Sequence, residues 1–230
     1  YIQKVDKIVG PGNDYVARAK REVFGDVGIE GMIAGPSEVT VIADRKSNIN
    51  QIATSMIAQS EHGTNSQSIL ITKDKKIVIQ VEKKIKNLLN FLPRKNIIKK
   101  SLKTNGLMVT TEKENQIADI VNIISPEHLE ILSNSFKKYL NKIFNVGTIA
   151  IGEYSPVAAS DYNVGTNHTL GTLGSAKFAS GLNLNDFYKK ISQFELSRKG
   201  LKVISKQAIT LAEYENLFSH SLSIKSRIKG

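Results

Sequence analysis

The sequence predicts an α/β protein: a layered, mostly parallel sheet of incomplete Rossmann-like type, followed by a helical C-terminal arm. Three observations carry this. Short apolar runs of buried-strand type recur at residues 39–43, 68–72, 107–110 and 148–151. Between them lie segments whose apolar residues return at helical spacing, such as Ile49, Ile52, Ala53, Met56 and Ile57. Strands alternating with helices in this rhythm build parallel sheets through crossover connections. From Gly152 the texture changes, with Gly, Ser, Asn and Thr crowding residues 152–185 before a mainly helical pattern resumes to Ile228. The layered α/β domain is therefore expected across roughly residues 38–150.

Taken in order, residues 4–9 alternate and run into Gly10-Pro11-Gly12-Asn13, which reads as a strand, a tight turn and a helix capped by Asn13 and running to about residue 23. Such a crossing can turn backbone N–H groups toward a phosphate or can be a plain tight turn, and these four residues do not decide between the two. Ile33-Ala34-Gly35-Pro36-Ser37-Glu38 is a second break before the first apolar run. Ser47 or Asn48 then caps a helix that ends at Gln59-Ser60-Glu61-His62-Gly63. Gln59 and His62 are three apart and are expected on one face of its last turn, a fork able to hold a small ion or a polar ligand. Residues 75–92 form an amphipathic helix stopped by Pro93. Residues 97–102 add a short helix and residues 116–124 another. Ser125-Pro126-Glu127-His128-Leu129 interrupts the pattern before a strand at 130–132, and residues 136–143 are again helical. With strand-like residues following Tyr1 almost at once, the chain is expected to start inside a longer one.

Composition narrows the function classes. The formal charge of +11 is carried mostly by lysine scattered along the chain, with arginine scarce. Bidentate phosphate recognition favours arginine, so a solvated lysine-rich surface is the reading and no nucleic-acid partner is expected. The absence of cysteine excludes disulfides and thiolate metal sites and fits a reducing compartment. No run approaches the roughly 18 consecutive apolar residues of a membrane helix, and no signal-peptide layout is visible. A soluble, cytoplasmic protein without a membrane partner is the expectation.

The chain has four histidines, His62, His128, His168 and His220. Read singly, each is as well explained by a surface or hydrogen-bonded structural role. His128 stands apart because Pro126 fixes the backbone before Glu127-His128, which presents an acid and a base together. Asp161 lies in a Gly/Ser-rich setting where a helix cap is the plainer alternative. Gln59, His62, Asp161 and His220 could supply imidazole and oxygen donors to a metal, yet their spacing closes no recognised ligand pattern. From the residues alone the reaction stays open.

Several separated motifs together resemble the histidinol dehydrogenase family, in the family's order: VGPGN ending at Asn13 and followed by YVARAKR, AGPSE ending at Glu38, QSEHG at 59–63, SPEHL at 125–129, SDY at 160–162, GTNH at 165–168, and Glu215 five residues before His220. The resemblance covers essentially all of the chain and places a family histidine at each of the four. It implies a four-electron oxidation of L-histidinol to L-histidine through the aldehyde, with two NAD+ consumed and zinc assisting. It further implies zinc on Gln59, His62, Asp161 and His220. Ser37, Gln59, His62, His128, Asp161, Glu215 and His220 would meet substrate. His128 would be the base of the alcohol step, Glu127 the residue that activates water, and Asn13 a nucleotide contact. Residues 1–37 would be the remnant of an NAD-contacting domain, residues 38–180 would carry most of the site, and residues 181–230 would be a dimerisation arm that completes the neighbour's site in a homodimer. Gly171 stands where the family usually has proline, and Lys177 where arginine is usual. The alternative is a truncated relative that keeps fold and dimer without turnover.

Overall fold

The computed structural model describes residues 3–30, 35–135 and 137–228. Ile33 and Ala34 of the second break, and Phe136 at the start of the expected helix at 136–143, lie outside the described residues. By contact the chain divides into Tyr1–Phe187 and Tyr188–Gly230.

The first unit opens with a two-residue strand β1 (Lys7–Ile8) paired in parallel with β2 (Gly28–Ile29), with helix α1 (Asp14–Glu22) between them. The expected strand at 4–9 thus shrinks to two paired residues. Asn13 caps α1 as expected, its side-chain oxygen accepting from the N–H groups of Tyr15 and Val16 at 3.1 and 3.2 Å. A buried ion pair between Lys20 and Glu30 ties the end of this segment to α1.

The main body is a five-stranded parallel sheet. Its members are β3 (Glu38–Ala43), β4 (Gln67–Thr72), β5 (Gly106–Thr110), β6 (His128–Ile131) and β7 (Thr148–Ile151), in spatial order β5-β4-β3-β6-β7. The order reverses at β3, the first strand of the sheet in sequence, as in doubly wound sheets. Helices α2 (Ile49–Ser60), α3 (Lys75–Leu88), α4 (Lys95–Asn105), α5 (Glu114–Ile124) and α6 (Lys137–Leu140) connect the strands. The expected short helix at 97–102 is longer at both ends, because Lys95 and Asn105 continue a helical pattern whose buried anchors are Ile98 and Ser101.

Both faces of the sheet are covered, which explains why β3 is buried along its whole length. Val39, Val41 and Ala43 pack with Ile52, Ala53 and Met56 of α2, while Ile42 packs on the opposite face with Ile117, Ala118 and Val121 of α5. In β6 the same alternation sends Leu129 and Ile131 to the α5 side and therefore sends His128 and Glu130 to the α2 side. Two polar residues, 3% and 2% exposed, thus occupy positions that an ordinary core would fill with aliphatic side chains.

Beyond β7 a one-turn helix α7 (Val157–Ser160) interrupts the polar stretch, which then continues through short 3₁₀ turns at Ser175–Lys177 and Leu184–Phe187. The second unit is a pair of helices, α8 (Arg198–Tyr214) and α9 (Phe218–Ile228), joined at Asn216 in a left-handed conformation with φ of 61°. Regular helix therefore starts at Arg198, later than the helical tail expected from residue 185. Within this unit Ser221 donates to Glu213 at 2.7 Å and Lys225 pairs with the same carboxylate. Among the described residues no helix is long and apolar enough to cross a membrane.

Candidate active site

Helix α2 runs antiparallel to the strands, as a crossover must, so its C-terminal end returns to their amino ends. Ser55 lies opposite Glu130 and donates its hydroxyl to it. Four residues further along the helix cover about 6 Å, and two residues back along the strand cover about the same. Gln59 is therefore brought level with His128. The candidate site forms at the amino edge of the sheet, the end opposite to where open α/β sheets usually bind ligands.

A cleft of about 270 Å³ opens there, and its walls include Ser37, Gln59, His62, Glu127, His128 and Asp161. Six of the residues expected at the site thus share one cavity. Pro11 and Gly12 also line it, whereas Asn13, the next residue, is engaged in capping α1. Glu215 and His220 belong to the second unit, at the end of α8 and in the first turn of α9.

Two expectations about local geometry are corrected. His62 does not share a helical face with Gln59: α2 ends at Ser60, Glu61 is its cap, and His62 sits in the following turn with its N–H on the Gln59 carbonyl at 3.3 Å. The fork is instead a helix end, with buried Gln59, followed by a turn that exposes His62 to the cleft. Nor do Glu127 and His128 come from one loop, since His128 is the first residue of β6, in register with Val39 and Thr148. Pairing on both sides extends the strand two residues earlier than expected and holds the imidazole on a rigid element. Asp161 caps the C-terminal end of α7, which makes its helix-end position and its place in the cleft compatible.

Burial pushes the Glu127 carboxyl up to about 8, with the neighbouring Glu38 and Asp161 carboxylates acting in the same direction against a hydrogen bond from the Glu38 N–H. Burial pulls His128 down to about 4, Asp161 opposing the shift and His62 reinforcing it. At neutral pH the imidazole is therefore free of its second proton while the carboxyl beside it holds one. Glu127 Oε1 lies 3.8 Å from His128 Nε2, and His128 Nδ1 is sealed in the interior with no hydrogen-bond partner among the described residues. A neutral base and a carboxyl whose affinity for protons is raised, facing one cleft, are suited to two separate proton transfers.

Among the described residues no group of three or more His, Asp or Glu side chains converges as a metal cage. His62, Asp161 and the Gln59 amide nevertheless line a second, smaller cavity of about 160 Å³ as well as the main cleft. Their imidazole, carboxylate and amide oxygen are donors that a zinc ion accepts, so this side of the site fits such an ion with further ligands supplied from elsewhere.

The family model described as histidinol dehydrogenase matches residues 1–228. The chain belongs to the histidinol dehydrogenase family. It is 51% identical over 228 residues to the histidinol dehydrogenase of Pelagibacter ubique, covering 99% of this chain and 53% of that protein. With the histidinol dehydrogenase of Clostridium acetobutylicum it shares 44% identity over the same coverage. The crystal structure of histidinol dehydrogenase from Elizabethkingia anophelis superposes with a TM-score of 0.88 at 39% identity, over 99% of this chain and 52% of that one. The chain thus spans about half the length of the histidinol dehydrogenases it matches.

Sequence reasoning passed over Glu38, Glu130 and Ser55. Glu130 accepts from Ser55 Oγ at 2.7 Å and from the Val157 N–H at 3.2 Å, joining β6 to α2 and α7, the elements that carry Gln59 and Asp161. Its signal in the sequence was the pattern His128-x-Glu130, two polar residues at alternate positions in an otherwise apolar strand.

Proposed function

We propose that this chain forms the zinc- and substrate-binding part of a histidinol dehydrogenase that oxidises L-histidinol to L-histidine through the aldehyde with NAD+. The observation that carries this reading is the convergence of Ser37, Gln59, His62, Glu127, His128 and Asp161 on one cleft, in a chain whose family is shown. Gln59, His62 and Asp161, with His220, would hold the zinc, Ser37 and Glu215 would contact the substrate, and Asn13 the nucleotide. When bound, zinc polarises the substrate alcohol as a Lewis acid and NAD+ accepts the hydride.

The chain's own residues then divide the proton traffic. His128 is neutral at pH 7 because burial lowers its proton affinity, and Nδ1 is enclosed, so Nε2 is the atom that takes the alcohol proton as the hydride leaves. Glu127, with its carboxyl raised to about 8, is a strong base once ionised, and it takes a proton from the water that hydrates the aldehyde. The assembly is a homodimer in the cytoplasm whose helical tails, bearing Glu215 and His220, complete neighbouring sites; it calls for no nucleic-acid or membrane partner.

The test follows NADH formation from L-histidinol in the 230-residue chain and in a longer polypeptide extended to the full length of the relatives it matches, before and after a chelator and again after zinc is restored. Activity that disappears with the chelator and returns with zinc supports the reading. Silence of both proteins under every condition favours the alternative of a relative without turnover.

A further inference from the structure

We infer that Glu38 is a positioning residue for Glu127: its carboxylate anchors the backbone of Glu127 and of Leu173, which keeps Glu127 seated with one oxygen on the Glu38 N–H and the other facing His128 and the cleft. The inference rests on the role proposed above for Glu127. The register of β3 against β6 pairs Val39 with His128, which sets Glu38 beside Glu127 at the amino edge of the sheet. The two residues exchange bonds. The Glu38 N–H donates to Glu127 Oε2 at 2.9 Å, and the Glu127 N–H donates to Glu38 Oε2 at 3.4 Å. Glu38 Oε1 accepts from the N–H of Leu173 at 3.0 Å. Three of the four carboxylate oxygens are thereby fixed by backbone donors, and among the described residues Glu127 Oε1 takes no hydrogen bond. That oxygen is the one 3.8 Å from His128 Nε2.

The third bond extends the arrangement into the polar stretch after β7. Leu173 is held in the left-handed region with φ of 52°, followed by Gly174 at 79°, and a leucine there is strained unless its surroundings compensate. Glu38 supplies one compensating contact. Gly35 supplies another, its N–H donating to Thr172 Oγ1 at 2.6 Å. The segment 35–38 thus fastens the 172–173 turn to the edge of the sheet that carries Glu127.

Two further features separate positioning from mere filling. Glu38 is 4% and Glu127 7% exposed, and a buried carboxylate is a costly way to fill space where an apolar side chain would serve. The Glu38 carboxyl is itself raised by burial, against the hydrogen bonds from Leu173 and Glu127. The Glu38 carboxylate in turn helps hold the Glu127 carboxyl up, so its charge bears on proton release by Glu127. Glutamine at position 38 would keep the volume but turn one amide N–H toward a backbone donor, so it removes both a bond and the charge.

The experiment uses the longer polypeptide and the variants Glu38→Gln, Glu38→Asp, Glu127→Gln and the double variant Glu38→Gln/Glu127→Gln. Turnover of histidinol and of histidinaldehyde is measured separately across pH, alongside a carbon-13 NMR titration of the glutamate carboxyls in the metal-free protein. Expected for Glu38→Gln are a loss of at least about tenfold in kcat for the aldehyde with a smaller change in KM, titration of Glu127 at lower pH, and a double variant no slower than Glu127→Gln alone. Should Glu38→Gln not fold, Glu38→Asp, which keeps the charge but shortens the reach, is expected to show the same preferential loss at the aldehyde step. An unchanged aldehyde kcat and an unmoved Glu127 titration would overturn the inference, as would losses that multiply in the double variant. Wild-type protein without turnover would count against the proposed function instead, and the NMR titration would still decide the role of Glu38.

Discussion

Ser55 donates its hydroxyl to Glu130 Oε1 across 2.7 Å, while the other oxygen of the same carboxylate takes the N–H of Val157 at 3.2 Å. One buried side chain thereby sets the separation of α2 and α7, and with it the separation of Gln59 and His62 from Asp161. Replacement of Glu130 by alanine leaves a hydroxyl and an N–H unpaired in the interior, at about 1–3 kcal/mol each. The expected outcome is a lower urea midpoint together with weaker zinc binding by calorimetry. Zinc affinity equal to that of the parent would show that Glu130 does not govern donor spacing.

The paired residues at the amino edge of β6 give stability a defined pH dependence in the metal-free protein. Glu127 titrates near 4.5 in the unfolded chain and about 8 in the folded one. Between those values the folded chain holds a proton that the unfolded chain has released, so stability falls as pH rises, by about 1.4 kcal/mol per unit. His128 moves from 6.5 to about 4, so between these the unfolded chain holds the extra proton and stability rises with pH. The two oppose one another from about 4.5 to 6.5; from 6.5 to 8 the His128 contribution is gone and Glu127 leads, with the raised carboxyls of Glu38 and Glu130 acting in the same direction. Denaturation at fixed temperature is expected to show a plateau followed by a decline, with Glu127→Gln removing most of the decline. A decline of equal size in that variant would assign it to other groups.

The backbone next to Glu127 leaves no room for a side chain at Gly147. A Cβ there would lie 2.5 Å from the Glu127 carbonyl oxygen, the acceptor of the Thr148 N–H at 2.9 Å. Gly147→Ala is expected to cost about 1–3 kcal/mol, in the range of overpacked sites, and to slow turnover by displacing Glu127. Wild-type values of both would place the strain elsewhere.

Loss of a proposed metal donor should be more severe than loss of a supporting contact. His62→Ala and Asp161→Ala are expected to lower zinc affinity by more than the roughly 10–100-fold that removal of an outer-shell partner costs. Metal analysis after dialysis reads this directly. Full occupancy in both variants would remove these residues from the ligand set.

The parallel sheet was legible because its strands are buried on both faces and so read as apolar runs, and α2 was legible from Asn48 and its helical period. Motif resemblance marked the six residues that meet in the cleft. What stayed hidden was set by pairing across the sheet rather than by local pattern. His128 became a strand residue through its register with Val39 and Thr148, and His62 left the helix because the chain turns at Glu61 toward β4. The roles of Glu38 and Glu130 stayed hidden because their partners, Glu127, Leu173, Ser55 and Val157, lie 27 to 135 positions away.

The proposed function makes this cleft part of an enzyme that carries out two successive oxidations. The most direct measurement is the stoichiometry of L-histidinol consumption by the longer polypeptide with zinc and excess NAD+, with the amino-acid product identified by mass spectrometry. Two NADH and one L-histidine per L-histidinol are expected. One NADH per L-histidinol with accumulation of the aldehyde, or no consumption, would rule out the double oxidation.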